Sequence, residues 1–195
     1  MEKLLFSGAS GFLGHNVVPI LSKQYDITTI GITRHDNIKA NIAQEVPSLS
    51  EKYDVILHAA GKAHVYPKNQ EEIQSFYDVN YEGTVNICKA LEKVGLPKSF
   101  IFISTLDVYG LAVGECIDET YPKNPKTHYA ISKLKAEEFL IDWAKERGVI
   151  LGILRPSLMI GPNPPGNLKA MIKGIQKGYY VNISGGHTRK SLKIG

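Results

Sequence analysis

The segment that most constrains the fold of this chain is a glycine-rich turn close to its start. Apolar residues 3–6 predict a strand, residues 12–23 predict a helix, and the glycines between them, Gly8, Gly11 and Gly14, have the spacing GxxGxxG. In such a turn the first glycine permits the bend, the second lets the backbone approach a pyrophosphate, and the third lets helix pack on strand. A bound phosphate would lie at the positive end of the helix. The spacing predicts a dinucleotide site; it is a variant of the more widespread GxGxxG, and an ordinary turn is the alternative.

Apolar segments of strand length alternate with helical segments along the chain, which is the α/β pattern. Continuous apolar runs suit parallel strands that are buried on both faces. Gly95 and Gly148 are placed to end two helices, whereas residues 34–52 are too polar to assign. We therefore predict a Rossmann-like, doubly wound parallel sheet with helices on both faces. The strands are predicted near 3–7, 27–33, 54–58, 98–104 and 149–155, and the helices near 12–23, 69–94, 127–147 and 167–178.

The composition favours a compact enzyme over several other classes of protein. With 195 residues, of which 43% are hydrophobic, the chain can bury a substantial core. The net charge of +4 comes without a polybasic run, so nucleic acid is not expected as a partner. Without an apolar run of 18 residues, and with a strand starting almost at Met1, we expect no membrane span, no signal peptide and a cytoplasmic location. Cys88 and Cys116 are expected to be free thiols, and no metal site is indicated.

Tyr129-Ala-Ile-Ser-Lys133 predicts acid–base chemistry. Two residues that lie four apart on a helix project from one face, with their Cβ atoms about 5–6 Å apart. A neighbouring ammonium favours the phenolate of a tyrosine, whose unperturbed pKa is about 10, and such a tyrosine can exchange a proton in alcohol–ketone chemistry. Taken alone, the two residues could equally be an ordinary exposed pair.

Further motifs follow in order along the chain. They are His58-Ala59-Ala60-Gly61, Asn80-Tyr81-Glu82-Gly83-Thr84, Ile103-Ser104-Thr105-Leu106-Asp107-Val108-Tyr109-Gly110, Leu154-Arg155-Pro156 and Gly161-Pro162. Together with the glycine turn and the YxxxK pair, they resemble the extended short-chain dehydrogenases/reductases of the NAD-dependent epimerase/dehydratase family, which act on nucleotide sugars. The resemblance covers nearly the whole chain.

The resemblance assigns the chemistry to three residues. Thr105 would hydrogen-bond the reacting sugar oxygen, Tyr129 would exchange its proton, and Lys133 would hold the nicotinamide ribose and lower the pKa of the tyrosine. As an alternative, Thr105 would merely cap the backbone at a strand end, a role that Ser104 could also fill. The implied substrate contacts are Thr105, Asp107 and Asn167.

The resemblance also implies the residues that bind the cofactor, NAD or NADP. Asn80 would support the active-site backbone, with a solvated helix residue as the alternative, and we interpret the side chain of His58 as structural. Lys62 and His64 lie on the loop along which the family passes its cofactor pyrophosphate. The implied contacts are Gly8, Ser10, Gly11, Phe12, Leu13, Gly14, Arg34, His58, Ala59, Ala60, Gly61, Asn80, Ser104, Tyr129, Lys133 and Pro156.

The choice between NAD and NADP depends on the end of the second strand. An acid there would bind the adenosine ribose and repel a 2′-phosphate, but here Asp36 comes late. Arg34 stands where a guanidinium could pair with a phosphate, and an ordinary loop arginine is the alternative. Both cofactors therefore stay open.

The C-terminal part of the chain holds only the first elements of a substrate region. The resemblance places an NAD(P)-binding domain with the catalytic residues at 1–160 and the start of the substrate region at 161–195. Gly166-Asn167-Leu168 resembles the opening of a helix that contacts the nucleotide diphosphate, and Arg189-Lys190-Ser191 resembles a later pocket segment. Leu158 replaces an asparagine found in some 4-epimerases.

The expected reaction is the epimerisation or reduction of a nucleotide sugar at C4. The partner would be a UDP- or dTDP-hexose, with a hydride passing between NAD(P) and sugar C4. Dehydratases carry Asp-Glu after the catalytic threonine, whereas this chain has Leu106-Asp107, so a 4,6-dehydratase is an alternative that the sequence disfavours. A non-catalytic dinucleotide-binding module is the other alternative. The resemblance also allows a homodimer.

Overall fold

Six parallel strands form a single sheet in the computed structural model, which describes residues 1–63, 67–164 and 166–179. The strands are β1 (Glu2–Ser7), β2 (Tyr25–Gly31), β3 (Ile38–Lys39), β4 (Val55–His58), β5 (Ser99–Ile103) and β6 (Ile150–Leu154). They lie in the order β3-β2-β1-β4-β5-β6, so the order reverses between β1 and β4. Ligands of such sheets bind beyond the carboxyl ends of the strands at this point. The predicted doubly wound sheet is confirmed.

Strand β3 is the strand that the sequence did not predict. It pairs only Ile38 with Ile30 and Lys39 with Gly31, at the edge of the sheet. Two residues are too few to display the alternation by which strands are recognised. The other five strands lie within two residues of their predicted positions.

Most helices begin or end at identifiable capping groups. They are α1 (Phe12–Leu21), α2 (Gln70–Tyr77), α3 (Gly83–Val94), α4 (His128–Arg147) and α5 (Gly166–Gln176). Asn69 and Thr127 cap α2 and α4 by accepting N–H groups of the first turn at 2.8 and 3.1 Å. Gly148 ends α4 in the left-handed region with a φ of 67°, as predicted. The predicted helix 69–94 is interrupted by a π-helical turn at Asp78–Glu82.

Hydrophobic residues are buried on both faces of the sheet. On one face, β1 and β4 pack against α1, whose Val17, Val18 and Leu21 face Leu4, Phe6, Val55 and Leu57. On the other face, β-strand residues pack with α3 and α4 in a larger core that contains Leu5, Ile56, Phe100, Phe102, Ile87, Leu91, Leu140 and Trp143. The Trp143 ring meets Phe100 edge to face, with centroids 5.9 Å apart, and its Nε1–H donates to Glu92 at 2.8 Å. The helices therefore cover both faces, as expected.

Contacts divide the chain into two units, Met1–Arg155 and a second unit that begins at Pro156. None of the helices that the structure describes is long and apolar enough to cross a membrane. Cys88 is buried, which raises the pKa of its thiol, and Cys116 is exposed; both are free, as predicted. Within the described ranges, no three His, Cys, Asp or Glu side chains are grouped to hold a metal ion.

Candidate active site

The glycine turn between β1 and α1 leaves no room for a side chain at two positions. Gly8 has a φ of 82°, and a Cβ there would lie 2.6 Å from the backbone nitrogen of Ala60. A Cβ on Gly14 would lie 2.1 Å from the carbonyl oxygen of Ala9. Gly11 differs, because a Cβ on it would meet only the Gly8 carbonyl oxygen, at 3.2 Å. The turn therefore holds β1, α1 and the loop after β4 in close contact.

The N-terminus of α1 has the properties of an anion site. No side chain caps this helix at Gly11, so the first-turn N–H groups have no intrahelical or side-chain acceptor at that cap. Unpaired N–H groups and the helix dipole together favour a bound phosphate. Ser10 is exposed beside this helix end, and Phe12 and Leu13 in the first turn are half-buried. The structure thus brings the predicted pyrophosphate residues together at one helix end.

The loop after β4 connects the glycine turn to the helix that carries Lys133. Gly8 packs on the Ala59–Ala60 peptide group. A Cβ on Gly61 would lie only 2.9 Å from the Nζ atom of Lys133. The candidates Ala59, Ala60 and Gly61 therefore form the backbone link between the two predicted parts of the site.

His58, at the end of β4, is a buried structural residue. Its Nδ1 contacts the hydroxyl of Ser7, and its Nε2 lies 2.9 Å from the hydroxyl of Thr84. Its ring stacks on Phe102, with centroids 5.6 Å apart. Burial, reinforced by the positive charge of Lys133, lowers the pKa of His58 to about 3, so the ring is neutral at physiological pH. Both ring nitrogens are engaged inside the protein, in keeping with the structural interpretation of this side chain.

Asn80 lies in the π-helical turn and supports the loop after β4. Its Oδ1 accepts the Lys62 N–H at 2.8 Å, and its Nδ2 donates to the Lys62 carbonyl at 3.1 Å and to Ser132 at 2.9 Å. Its own carbonyl accepts the Thr84 hydroxyl at 2.7 Å, so Thr84 must in turn accept from His58. Asn80 is therefore a buried support of the loop and not a solvated helix residue.

Tyr129 and Thr105, the predicted proton-exchanging residues, lie beside each other. The Thr105 hydroxyl accepts the Asp107 N–H at 3.2 Å. Burial, and to a lesser extent the charge of Asp107, raises the pKa of Tyr129, while the neighbouring Thr105 hydroxyl acts in the opposite direction. This differs from the expectation that Lys133 lowers this pKa, because the Nζ of Lys133 is directed elsewhere.

Lys133 is buried, and its Nζ donates a hydrogen bond to the Ile103 carbonyl at the end of β5, at 2.9 Å. Its Nζ lies 4.6 Å from the centre of the Phe102 ring, within the range of a cation–π contact. Burial lowers the pKa of Lys133 to about 8, and the negative charge of Glu137 opposes this effect. At neutral pH the residue is therefore an ammonium that is close to its titration range.

Ser104 belongs to a buried ionic cluster that motif analysis missed. Its hydroxyl donates to Glu137, which also accepts Arg155 through Nε at 3.0 Å and a terminal nitrogen at 2.7 Å. Arg155 donates further to the Tyr109 hydroxyl at 2.6 Å. The one available sequence signal was the position of Glu137, four residues after Lys133 on the same helix face. The Ser104 hydroxyl is thus bonded within this cluster.

The loop after β2 borders a cavity of about 320 Å³ beside α1. Asp36 accepts the N–H and the hydroxyl of Thr33 at 2.9 and 2.6 Å. Arg34 is exposed and donates through Nε to His35 at 3.2 Å. The cavity is lined by Ala9, Ser10, Gly14, His15, Val18, Pro19, Thr29, Thr33, His35 and Asp36. Asp36 and His35 therefore both line the cavity where the adenosine end is expected, and Arg34 is bonded to His35.

The remaining candidates are less closely tied to this site. The Lys62 ammonium turns away to the Ser75 hydroxyl at 2.6 Å. Asp107 is exposed, and Pro156 begins the second unit. Asn167 lies in α5, but its side chain is outside the described residues, as are His64 and the segment Arg189-Lys190-Ser191.

Comparison with curated proteins gives relatives that are named as sugar epimerases and reductases. The chain is 30% identical to the N-acetyl-alpha-D-glucosaminyl-diphospho-ditrans,octacis-undecaprenol 4-epimerase of Escherichia coli O157:H7, over 98% of the chain and 59% of that protein. It is 31% identical to the UDP-glucose 4-epimerase of Vibrio cholerae, over 91% of the chain and 58% of that protein. A GDP-6-deoxy-D-mannose reductase of Pseudomonas aeruginosa is 29% identical, over 83% and 53%. The chain thus spans a little over half the length of these relatives.

Solved structures and a family model agree with these relatives. RMD from Pseudomonas aeruginosa complexed with NADPH superposes with a TM-score of 0.75 at 26% identity, over 92% of this chain and 64% of that one. UDP-glucuronic acid 4-epimerase from Bacillus cereus, in complex with UDP-glucuronic acid and NAD, shares the fold, with a TM-score of 0.72 at 23% identity over 90% and 63%. Residues 4–190 match the model of one family. The chain therefore belongs to the NAD dependent epimerase/dehydratase family.

Proposed function

We propose that the protein is an NAD(P)-dependent nucleotide-sugar 4-epimerase or 4-ketoreductase, or the part of one that holds its chemistry. The observation that carries this proposal is the link from Gly8 through the Ala59–Gly61 backbone to Lys133, on the helix that also holds Tyr129 beside Thr105. It joins a phosphate-binding turn to an acid–base centre. Two relatives named as 4-epimerases and one named as a reductase, at 29–31% identity, support the same assignment.

A nicotinamide dinucleotide fits the residues at the glycine turn. The uncapped helix end at Gly11 suits a pyrophosphate, and the close approach at Gly8 and Gly14 keeps side chains out of its path. When bound there, the dinucleotide would supply hydride transfer. Gly8, Ser10 and Gly11 would hold its phosphates, and Lys133 would meet the nicotinamide ribose. The residues leave NAD and NADP open, since Asp36 lines the cavity together with His35, which accepts a hydrogen bond from the exposed Arg34.

The chain's own residues supply the proton and hold the sugar. Tyr129, with its raised pKa, is a phenol at neutral pH, and this form donates a proton to the oxygen of a 4-keto sugar. Thr105 holds the same oxygen through its hydroxyl. In the reverse direction, the phenolate of Tyr129 would remove the proton from the sugar hydroxyl. Asn80 keeps the loop between Gly8 and Lys133 in place.

A 4,6-dehydratase is supported less well. The dTDP-D-glucose 4,6-dehydratase of Mus musculus is 35% identical, but over only 58% of this chain. Water removal needs further acid–base groups beside the threonine, and Leu106 contributes none. A non-catalytic module is also disfavoured, because burying the charge of Lys133 is costly and a module without turnover would gain nothing from it.

The substrate class is proposed from the relatives and the family. We expect a UDP- or dTDP-hexose, with residues 161–195 beginning the region that binds it and with Asp107 and Asn167 among its contacts. The first experiment measures binding of NADH and NADPH to the chain by calorimetry. The second screens UDP- and dTDP-hexoses for turnover, followed by the absorbance of the reduced nicotinamide.

The decisive variant is Tyr129→Phe, which removes the transferable proton and keeps the ring. We expect turnover to fall roughly 10²–10⁴-fold, while dinucleotide affinity changes little. Tyr77→Phe is the matched control, because the Tyr77 hydroxyl contacts only an exposed histidine in the described structure. Failure of the chain to bind either dinucleotide, or unchanged turnover in Tyr129→Phe, would reject the proposal.

A further inference from the structure

The buried Glu137 has two basic residues within reach but is bonded to only one of them. Its carboxylate is completely buried and receives Ser104 and both donors of Arg155. A bidentate contact of this kind combines charge with fixed geometry. Both carboxylate oxygens are therefore occupied on the side of Arg155.

Lys133 is the second basic residue. It precedes Glu137 by four residues on α4, a spacing at which Lys and Glu side chains commonly pair. Among the ion pairs of the described residues, however, Glu137 pairs with Arg155 and Lys133 has no carboxylate partner. The Nζ of Lys133 instead donates to Ile103 and lies against Gly61. Two cations thus compete for one carboxylate, and Arg155 holds it.

We propose that Arg155 is a positioning residue of the acid–base centre, which acts by holding Glu137 away from Lys133. The Lys133 ammonium then stays on the side of Gly61 and the glycine turn. There it can serve the cofactor ribose. The role of Lys133 rests on the proposed function, whereas the competition for Glu137 is a property of the chain alone.

The other groups that face Lys133 do not supply a competing negative charge. His58, on β4, is neutral because its pKa is lowered to about 3. Tyr129, on α4, is protonated at neutral pH because its pKa is raised. Asn80, from the π-helical turn, presents an uncharged amide near Gly61. Asp107 acts on Tyr129 and is exposed to solvent. Glu137 is therefore the acid whose charge opposes the effect of burial on Lys133.

This competition can be measured without any substrate or dinucleotide. Protein grown with [ε-¹³C]lysine gives one carbon signal per lysine, and the Lys133→Arg variant identifies the signal of Lys133. In the unmodified chain, its titration midpoint is expected near the lowered pKa of about 8. Arg155→Met releases Glu137 toward Lys133, so we expect its midpoint to rise by roughly one pH unit or more.

Two further variants make the result specific. Glu137→Gln keeps hydrogen-bonding atoms but removes the charge, so the Lys133 midpoint should fall below that of the unmodified chain. The double variant Arg155→Met/Glu137→Gln should lose the rise produced by Arg155→Met. Tyr109→Phe is the matched control, because it removes a contact of Arg155 without touching the Glu137 pair, and it should leave the midpoint unchanged. Partial unfolding would instead move the midpoint toward the ordinary lysine value in every variant.

An unchanged midpoint in a folded Arg155→Met variant would overturn the proposal, as would a rise in Glu137→Gln. If Arg155→Met does not fold, Arg155→Lys replaces it, because lysine keeps the charge but loses the fork, and a smaller rise is expected. Failure of the proposed function appears separately, as absent dinucleotide binding or turnover, and does not alter this titration.

Discussion

At the scale of single residues, the three glycines of the turn are needed for different physical reasons. Gly8 adopts a left-handed φ of 82° and touches the backbone of the loop after β4, while Gly14 touches the Ala9 carbonyl. Both are required by the protein itself. Gly11 has an ordinary φ of −80°, and a Cβ on it would meet only the Gly8 carbonyl oxygen, at 3.2 Å, so the turn can accept a methyl group with a shift of a few tenths of an ångström. We therefore expect that the bound dinucleotide, and not the fold, requires glycine at position 11.

This difference leads to a prediction for Gly11→Ala and Gly14→Ala. Gly11→Ala should change the free energy of unfolding by less than about 1 kcal/mol, yet weaken dinucleotide binding about tenfold or more, because the methyl group occupies the path of the pyrophosphate. Gly14→Ala should cost roughly 1–3 kcal/mol through overpacking. Urea unfolding and calorimetric titration of each variant measure the two quantities. Unchanged affinity in a folded Gly11→Ala would mean that this glycine serves only the turn.

The residues proposed to carry the chemistry were predicted from the sequence, but their partners could not be. Thr105, Tyr129 and Lys133 are found by local motifs, because their spacing along the chain is itself the signal. The bonds Glu137–Arg155 and Ser7–His58 join residues 18 and 51 positions apart, so they exist only once the sheet has formed. The direction of the Tyr129 pKa shift likewise depends on burial, which no short motif encodes.

At the scale of elements, the helices were predictable except where their hydrogen-bond pattern changes. The apolar pattern continues through residues 69–94, so the sequence predicts one helix. The structure inserts a π-helical turn at Asp78–Glu82, which places Asn80 against the loop after β4. Such a turn changes the direction of one side chain without interrupting the apolar stripe, which is why periodicity did not reveal it.

The first turn of α4 allows an element-scale prediction, because it contains Tyr129. The Thr127 hydroxyl accepts the Ala130 N–H, and Thr127→Ala removes this cap. We expect the free energy of unfolding to fall by about 1 kcal/mol. Thr127→Ser is the control, since serine keeps the hydroxyl and should stay close to the unmodified protein. Equal losses in both variants, measured by urea unfolding, would show that the methyl group of Thr127 matters and the cap does not.

At the scale of the whole molecule, one buried histidine couples folding to pH. His58 joins the ends of β1 and β4 to α3 through Ser7 and Thr84. Its pKa is about 3 in the folded protein and about 6.5 in an unfolded chain. Between these values the unfolded chain binds more protons than the folded protein. This part of the stability is therefore present above pH 6.5 and is lost as the pH falls toward 3.

We predict that the free energy of unfolding drops by about 2 kcal/mol between pH 7 and pH 5 because of this residue. Urea unfolding at both pH values measures the drop. His58→Gln, which keeps a donor for Thr84, should make the pH dependence flatter, although the variant itself is less stable. His128→Gln alters an exposed histidine and should retain the full slope. An equally steep slope in His58→Gln would assign the acid sensitivity to other groups.

The buried Trp143 gives these measurements an intrinsic optical probe. It is the single tryptophan of the chain. Its side chain extends from α4 into the larger core, and its indole N–H is bonded to Glu92 of α3. Its fluorescence therefore comes from one known place in the larger core. A red shift of this emission would report the entry of water between the helices and the sheet. Each unfolding curve described above can thus be followed without attaching a dye to the protein.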